Sequence, residues 1–182
     1  MASSNEPGDG LDQRLVRAGV DLLRTDGVAA LSLREIARRA GVSHGAPRRH
    51  FPTHLALLSA IARAGFADLT AELAAVPGAG LADLARTYVR FGLRDPHMFE
   101  LMFRHDLLES GELGLREASL PLFRRLTDLM PGRSAAAAGA LWANLHGIVQ
   151  LWNWNSLPLA TGAADVDDLV GAALDAHLGG RS

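Results

Sequence analysis

The sequence predicts an all-α protein, and three observations lead there. Apolar residues recur at helical spacing along almost the whole of the 182 residues, no stretch sustains the alternation of a strand, and one Tyr with six Phe furnishes few rings for sheet faces. A chain of this length has room for one domain, or for a small domain fused to a larger one with a common core. At 48% hydrophobic and 21% charged it has the means to bury that core, which separates it from disordered chains.

The first ten residues hold no basic residue and no apolar run, so they read as a disordered tail, not as a signal or transit peptide. The first helix is expected from Leu11 to about Thr25, where Leu11, Leu15, Ala18, Leu22 and Leu23 share a stripe and Gly27 stops it. Ser32-Leu33-Arg34-Glu35 has the pattern of a capping box, in which hydroxyl and carboxylate satisfy backbone N–H groups reciprocally. Ile36, Ala37 and Ala40 continue that second helix, and Gly41 ends it. Ser43 is the expected cap of a third helix, His44 to about His50, which leaves a turn of about three residues between the two. Two short helices so joined have the layout of a helix-turn-helix, making the N-terminal module a three-helix unit.

After Pro52, Thr53 is placed to cap a fourth helix whose Leu57, Leu58, Ile61, Gly65, Phe66, Leu69 and Leu73 keep helical spacing to about Ala75. It is long enough to bridge two modules, and Pro77-Gly78-Ala79-Gly80 breaks it. Further helices are expected over Leu81 to about Arg94 and His97 to about Arg104, with a turn at Asp95-Pro96. Residues 105–113 read as a loop, and Leu115 to Met130 as a helix with a kink at Pro121. Ser134 caps the next helix. Asp165 caps the last, whose Val166, Leu169, Val170, Ala173, Leu174, His177 and Leu178 share a stripe up to Gly179-Gly180. Two C-terminal helices rich in Ala and apolar residues suggest a helix-packed dimer interface, with Ala173 and Leu174 in it.

Residues 134–164 carry no formal charge, yet a membrane span is excluded: Asn144, His146, Gln150, Asn153 and Asn155 would be left without partners in lipid, and Pro158 interrupts the run. With no cysteine there is no disulfide framework, thiol nucleophile or thiolate-held metal, and with no leader the expected location is the cytoplasm. The charge is one-sided. Residues 11–64 hold nine Arg against Asp12, Asp21, Asp26 and Glu35, whereas residues 65–182 hold nine Arg against fourteen acids. A basic first third on an acidic remainder is expected where one module meets a polyanion.

These features come together in a resemblance. Leu15-x-x-Ala18-x-x-x-Leu22 followed by Gly27, the run from Leu31 to Ser43 (LSLREIARRAGVS) and His50-Phe51-Pro52-Thr53 resemble, in order, the TetR family of bacterial transcriptional regulators. Trp142, His146 and Gly147, in the pattern Trp-x-x-x-His-Gly, and the segment 95–103 resemble one of its subgroups. The resemblance implies a homodimer with a DNA-binding domain at residues 11–56 and an effector-binding and dimerisation domain at 57–182. A small-molecule effector in the second would loosen the grip of the first on double-stranded operator DNA, and no cofactor is implied.

The motif chemistry agrees. A short helix carrying Ser43, His44, Arg48, Arg49 and His50 on one small surface suits the major groove. Gly45 permits close approach, Ser32, Arg34 and Ser43 lie where phosphates would be met, and Arg49 and His44 are candidates for reading bases. Two positions depart from the family pattern: Arg48 stands where Tyr is common and His54 where Lys is common, which puts the carried-over phosphate contacts there in question. Phe91, Met98, Phe99, Met102 and Phe103 form a soft apolar stripe, either core or the wall of an adaptable pocket. Trp142 and His146 stand between the same alternatives, His146 as a core group bonded to a neighbour or as a ligand contact; Trp152 and Trp154 read as core or dimer packing.

Other classes are weaker. His50 and His54 have i, i+4 spacing, but Pro52 breaks the helix that metal binding would need. His105-Asp106 is the most tempting acid–base pair, yet adjacent residues do not face each other on a helix. The remaining alternative is a dimeric helical ligand sensor or adaptor that does not bind DNA.

Overall fold

A computed structural model describes residues 10–76, 78 and 80–179; the described residues form eleven α-helices and no strand. Most of the expected tail, Pro77 and Ala79 of the expected break, and Gly180 lie outside the described residues.

α1 (Leu11–Asp26) begins at Gly10 and ends at Gly27, whose φ of 78° is a conformation that favours glycine. Its stripe of Leu15, Ala18, Leu22 and Leu23 is buried. α2 (Leu33–Arg39) starts as expected, Ser32 Oγ accepting the Glu35 N–H at 3.2 Å. Only this half of the capping box forms, because the Glu35 carboxylate turns forward and accepts from Arg38 at 2.5 and 2.9 Å.

The third helix corrects the sequence reading. α3 is Pro47–His50, a single turn; residues 40–46 separate it from α2, and Ser43 caps nothing. An α-helix starting at His44 would need its first backbone bond from residue 47 to residue 43, and Pro47 has no N–H to give. The chain tightens instead, Ala46 N–H donating to the Ser43 carbonyl at 3.0 Å, and Pro47 takes the first helical position, where no donor is required.

α4 (His54–Ala74) is capped by Thr53, whose Oγ1 accepts the Ala56 N–H at 2.9 Å. At 21 residues it spans about 32 Å and is the axis of the molecule, packing on α1 near its start and on α6 and α8 further along. α5 (Leu81–Arg94) and α6 (Pro96–Met102) meet at Asp95. That buried carboxylate accepts the Met98 N–H at 3.2 Å, capping α6, and accepts from Arg24 Nε on α1 at 2.6 Å.

Residues 105–113 are not a loop: α7 (His105–Ser110) and part of a 3₁₀ turn (Glu112–Gly114) occupy them. A six-residue helix has little periodicity to read, and what pins it is one fully buried side chain, Leu107. In the turn Gly111, Leu113 and Gly114 all have positive φ, at 63°, 55° and 63°. α8 (Leu115–Asp128) carries Pro121 within it.

α9 (Ala135–Asn153), capped by Ser134, packs against α5 and against α11 (Val166–Leu178), with short α10 (Ser156–Thr161) between. Two amides of the uncharged stretch find protein partners: Asn153 donates to the Gly92 carbonyl at 3.2 Å, and Asn144 meets His177 at 3.4 Å. No helix among the described residues is long and apolar enough to cross a membrane. Ala173 and Leu174, expected at a dimer interface, are only 5% and 6% exposed and belong to the core of the protomer. Their stripe closes α11 onto its own chain, leaving other faces of the two helices outward.

Candidate DNA interface and ligand cavity

All nine residues expected at DNA are exposed: Ser32, Arg34, Ser43, His44, Gly45, Arg48, Arg49, His50 and His54. The fold sorts the arginines of this module. Arg38 is held by Glu35, Arg39 reaches Asp26 at 3.2 Å and Thr25 at 3.0 Å, and Arg14 donates to the Ala40 carbonyl near the end of α2 at 2.9 Å. These ties set α2 against α1. Arg34, Arg48 and Arg49 meet no carboxylate among the described residues, so the cations left over are those on α3 and in the first turn of α2.

Two expected contacts change character. Ser43 offers no helix N-terminus, because the start of α3 falls at Ala46–Pro47. His54 Nε2 lies 2.8 Å from the Leu31 carbonyl, so this nitrogen carries the hydrogen and ties the start of α4 to the chain entering α2. His50 ends α3 and His54 opens α4, so the two do not share a helix face.

At the other end of the molecule, α4, α5, α8 and α9 enclose a cavity of about 320 Å³. Of the seven residues expected to line it, Phe103 and Trp142 do. Phe91, Met98, Phe99 and Met102 do not; they are buried behind the wall. Met98 and Met102 fill the space beside Gly65 of α4, where an added Cβ would stand 2.6 and 2.7 Å from their sulfur atoms. Helical spacing marked these four as inward-facing, but it does not say which inward side chains border a void.

His146 also stands behind the wall, its ring stacked at 4.8 Å on Phe99. Its Nδ1 is 2.9 Å from the Tyr88 hydroxyl, which in turn accepts from Trp142 Nε1 at 3.0 Å. With Trp142 as donor, the phenol keeps its one hydrogen available for Nδ1, an arrangement that goes with His146 carrying its own hydrogen on Nε2. Burial pushes the Tyr88 phenol up and the His146 imidazole down, and both are neutral near pH 7. Tyr88 is thus a wall residue fixed from two sides.

The sequence reading missed Tyr88 and the whole contribution of α8, including Phe123, Arg125 and Leu126. The available signal was the spacing of Leu81, Leu84, Ala85 and Tyr88 on one face of α5, and of Leu122 and Leu126 on α8.

An exposed, arginine-bearing short helix at one end of an all-helical chain and an apolar chamber at the other is the build of a DNA-binding regulator. The chain belongs to the tetR family: residues 15–61 match the model for bacterial regulatory proteins of that family, and residues 81–177 match the tetracyclin repressor-like C-terminal domain. It is a DNA-binding transcriptional regulator and not an enzyme. His105 Nε2 lies 3.4 Å from Glu109 and Asp106 accepts from Arg104 at 2.5 Å, so the two adjacent residues face different neighbours.

Among its relatives is the HTH-type transcriptional repressor Rv3405c of Mycobacterium tuberculosis, 28% identical over 162 residues, covering 88% of this chain and 80% of that protein. A protein of unknown function from Rhodococcus sp. RHA1 is 34% identical, covering 96% of this chain and 97% of its own, with a TM-score of 0.72. The multidrug binding protein EbrR, solved with imidazole, is 26% identical over 91% of this chain and 93% of its own, with a TM-score of 0.59.

Proposed function

We propose that the protein is a homodimeric repressor whose two copies of residues 11–56 hold a near-palindromic operator, and that a small apolar effector in the cavity of residues 57–182 releases it. The observation that carries this reading is the sorting of the basic residues: internal acids hold Arg38 and Arg39, while Arg34, Arg48 and Arg49 face outward beside His44 and His50. Half-sites one turn of duplex apart, about 34–36 Å, would meet two such faces related by a two-fold axis. Arg34 and Ser32 serve phosphates, and Arg49 and His44 read bases.

A second copy is supported by the outward face of α9. Ala140, Ala143, Asn144, Gly147 and Leu151 follow helical spacing without a charge, and a Cβ added at Gly147 would touch nothing in the protomer. Beyond them Trp154 is 68% exposed and Leu159 85%. Effector release works by population shift: a ligand favouring the splayed arrangement of the two heads draws the dimer from the spacing that DNA requires, by no more than its preference between the two states. Ligand binding by the similar EbrR supports an effector role for the cavity.

The test is a mobility-shift titration with the DNA upstream of the protein's own gene. Retardation should weaken steeply with salt as phosphate contacts release counterions. Arg49→Ala should reduce preference at one base position by about 1–3 kcal/mol. Equal loss on operator and random DNA would assign Arg49 to phosphate. Absence of retardation at any salt would favour the sensor or adaptor that does not bind DNA.

A further inference from the structure

The cavity wall is apolar with one formal charge in it. Tyr88 and Trp142 are bonded to each other, Ser119 donates to the Arg116 carbonyl at 2.9 Å, and no Asp or Glu lines the space. Arg125 of α8 does line it. One of its N–H groups, on Nη2, donates to the Leu73 carbonyl in the last turn of α4 at 3.0 Å. The two acids in the later turns of α4 are held elsewhere: Glu72 by Arg94 at 2.5 Å and Asp68 by Arg24 at 3.6 Å. Among the described residues Arg125 has no carboxylate partner, although it is half-buried in an otherwise apolar wall.

A guanidinium has five N–H donors in a planar fork, and partial burial with only a carbonyl for company leaves it poorly compensated. An anionic group entering the cavity would supply what is missing, in the bidentate geometry that makes Arg–carboxylate pairs strong. A cation entering it would meet a like charge and no acid. The volume is at the small end of the ~300–1,000 Å³ of small-molecule sites.

We infer that the cavity is a site for an anionic amphiphile, an apolar body bearing one carboxylate, with Arg125 as its counter-ion. This rests on the effector reading of the cavity and narrows it to a chemical class. The body is an alkyl chain or an aromatic ring system; the carboxylate is common to both.

The experiment is calorimetric titration of the intact protein with decanoate, decanol and decyltrimethylammonium, and separately with 2-naphthoate and 2-naphthol. In at least one series the carboxylate should bind about ten-fold tighter than its alcohol, the size expected of a charge-assisted pair, with the ammonium weakest. Arg125→Gln should bring carboxylate and alcohol within about two-fold of each other, and Arg125→Lys, which keeps the charge but loses the planar fork, should give a preference between those of Arg125→Gln and the wild type. Because Arg125 also holds the end of α4, thermal melts confirm that each variant is folded, and the ratio of carboxylate to alcohol binding in the wild type stands without either. If carboxylate and alcohol bind wild type equally, or the ammonium binds best, the anionic assignment is overturned while the cavity reading survives. If no probe of either series binds, both fall.

Discussion

Arg24 and Asp95 join the end of α1 to the start of α6, and cutting that link has a calculable cost. The Asp95 side chain is 7% exposed and that of Arg24 47%, with Nε to Oδ2 at 2.6 Å. A fully exposed pair is worth about 0–1 kcal/mol, whereas orphaning one partner of a fully buried pair costs about 3–5 kcal/mol. With one partner buried and the other half in water, Arg24→Ala should cost about 2 kcal/mol. The carboxylate left behind keeps the Met98 N–H, at 3.2 Å, as partner. Asp95→Ala should cost about 1 kcal/mol more, since the cap of α6 is lost as well. Asp95→Asn keeps a capping oxygen, so in that background Arg24→Ala should cost only the weak Arg24–Asp68 contact at 3.6 Å, about 0.5 kcal/mol. The assay is urea unfolding of wild type, both single variants and the double variant at one fixed protein concentration, because association feeds into apparent stability. A coupling energy of about 1.5 kcal/mol is expected. If Arg24→Ala costs the same whether residue 95 is Asp or Asn, the pair is not a linchpin and the reasoning fails.

Three further outcomes follow from the packing. Gly92→Ala places a Cβ 2.5 Å from Val149 Cγ1 and 2.9 Å from the Phe99 ring; valine is stiff at χ1, so about 1–3 kcal/mol of overpacking should outweigh the ~1 kcal/mol helix preference for Ala, leaving a net loss in the urea midpoint. His146 is held neutral by burial below its ordinary value of 6.5, so the unfolded chain takes up a proton that the folded one refuses; stability should fall as pH drops below about 6.5, and His146→Gln should remove that part of the slope in unfolding measured against pH. Gly147→Glu should leave the protomer folded, since nothing lies within 4 Å of the new Cβ, yet give monomers by light scattering; a persistent dimer would take α9 out of the interface.

Helices announced themselves in the sequence where local chemistry decides them. Thr53, Ser134 and Asp165 each cap the helix expected of them, because a hydroxyl or carboxylate beside the first turn has orphan N–H groups to accept from wherever the rest of the chain goes. Ser43 fails at the same task through a proline four residues on, a local conflict that a cap signal alone does not register. What the sequence conceals is long-range. Arg34 and Arg38 look alike in the chain, and only the direction of the Glu35 carboxylate separates an internal tie from an outward cation. The cavity is harder still, since the stripes of α5, α8 and α9 are visible one by one while the gap between them exists only once they are assembled. Ala173 and Leu174 illustrate the reverse error: an apolar stripe declares that something covers it and is silent on whether that cover is the same chain or another.

A helix one turn long has no fold of its own. Pro47–His50 contains too few backbone bonds to nucleate a helix, and a four-residue segment in water would be coil. Its shape is borrowed from α1, which packs on it, and from buried Pro47 and Phe51 on either side of its exposed residues. Whatever slackens α1, including the loss of its grip on α6, therefore blurs the fingertip as well as moving the hand, so errors in base discrimination should accompany any weakening of the scaffold far from the groove.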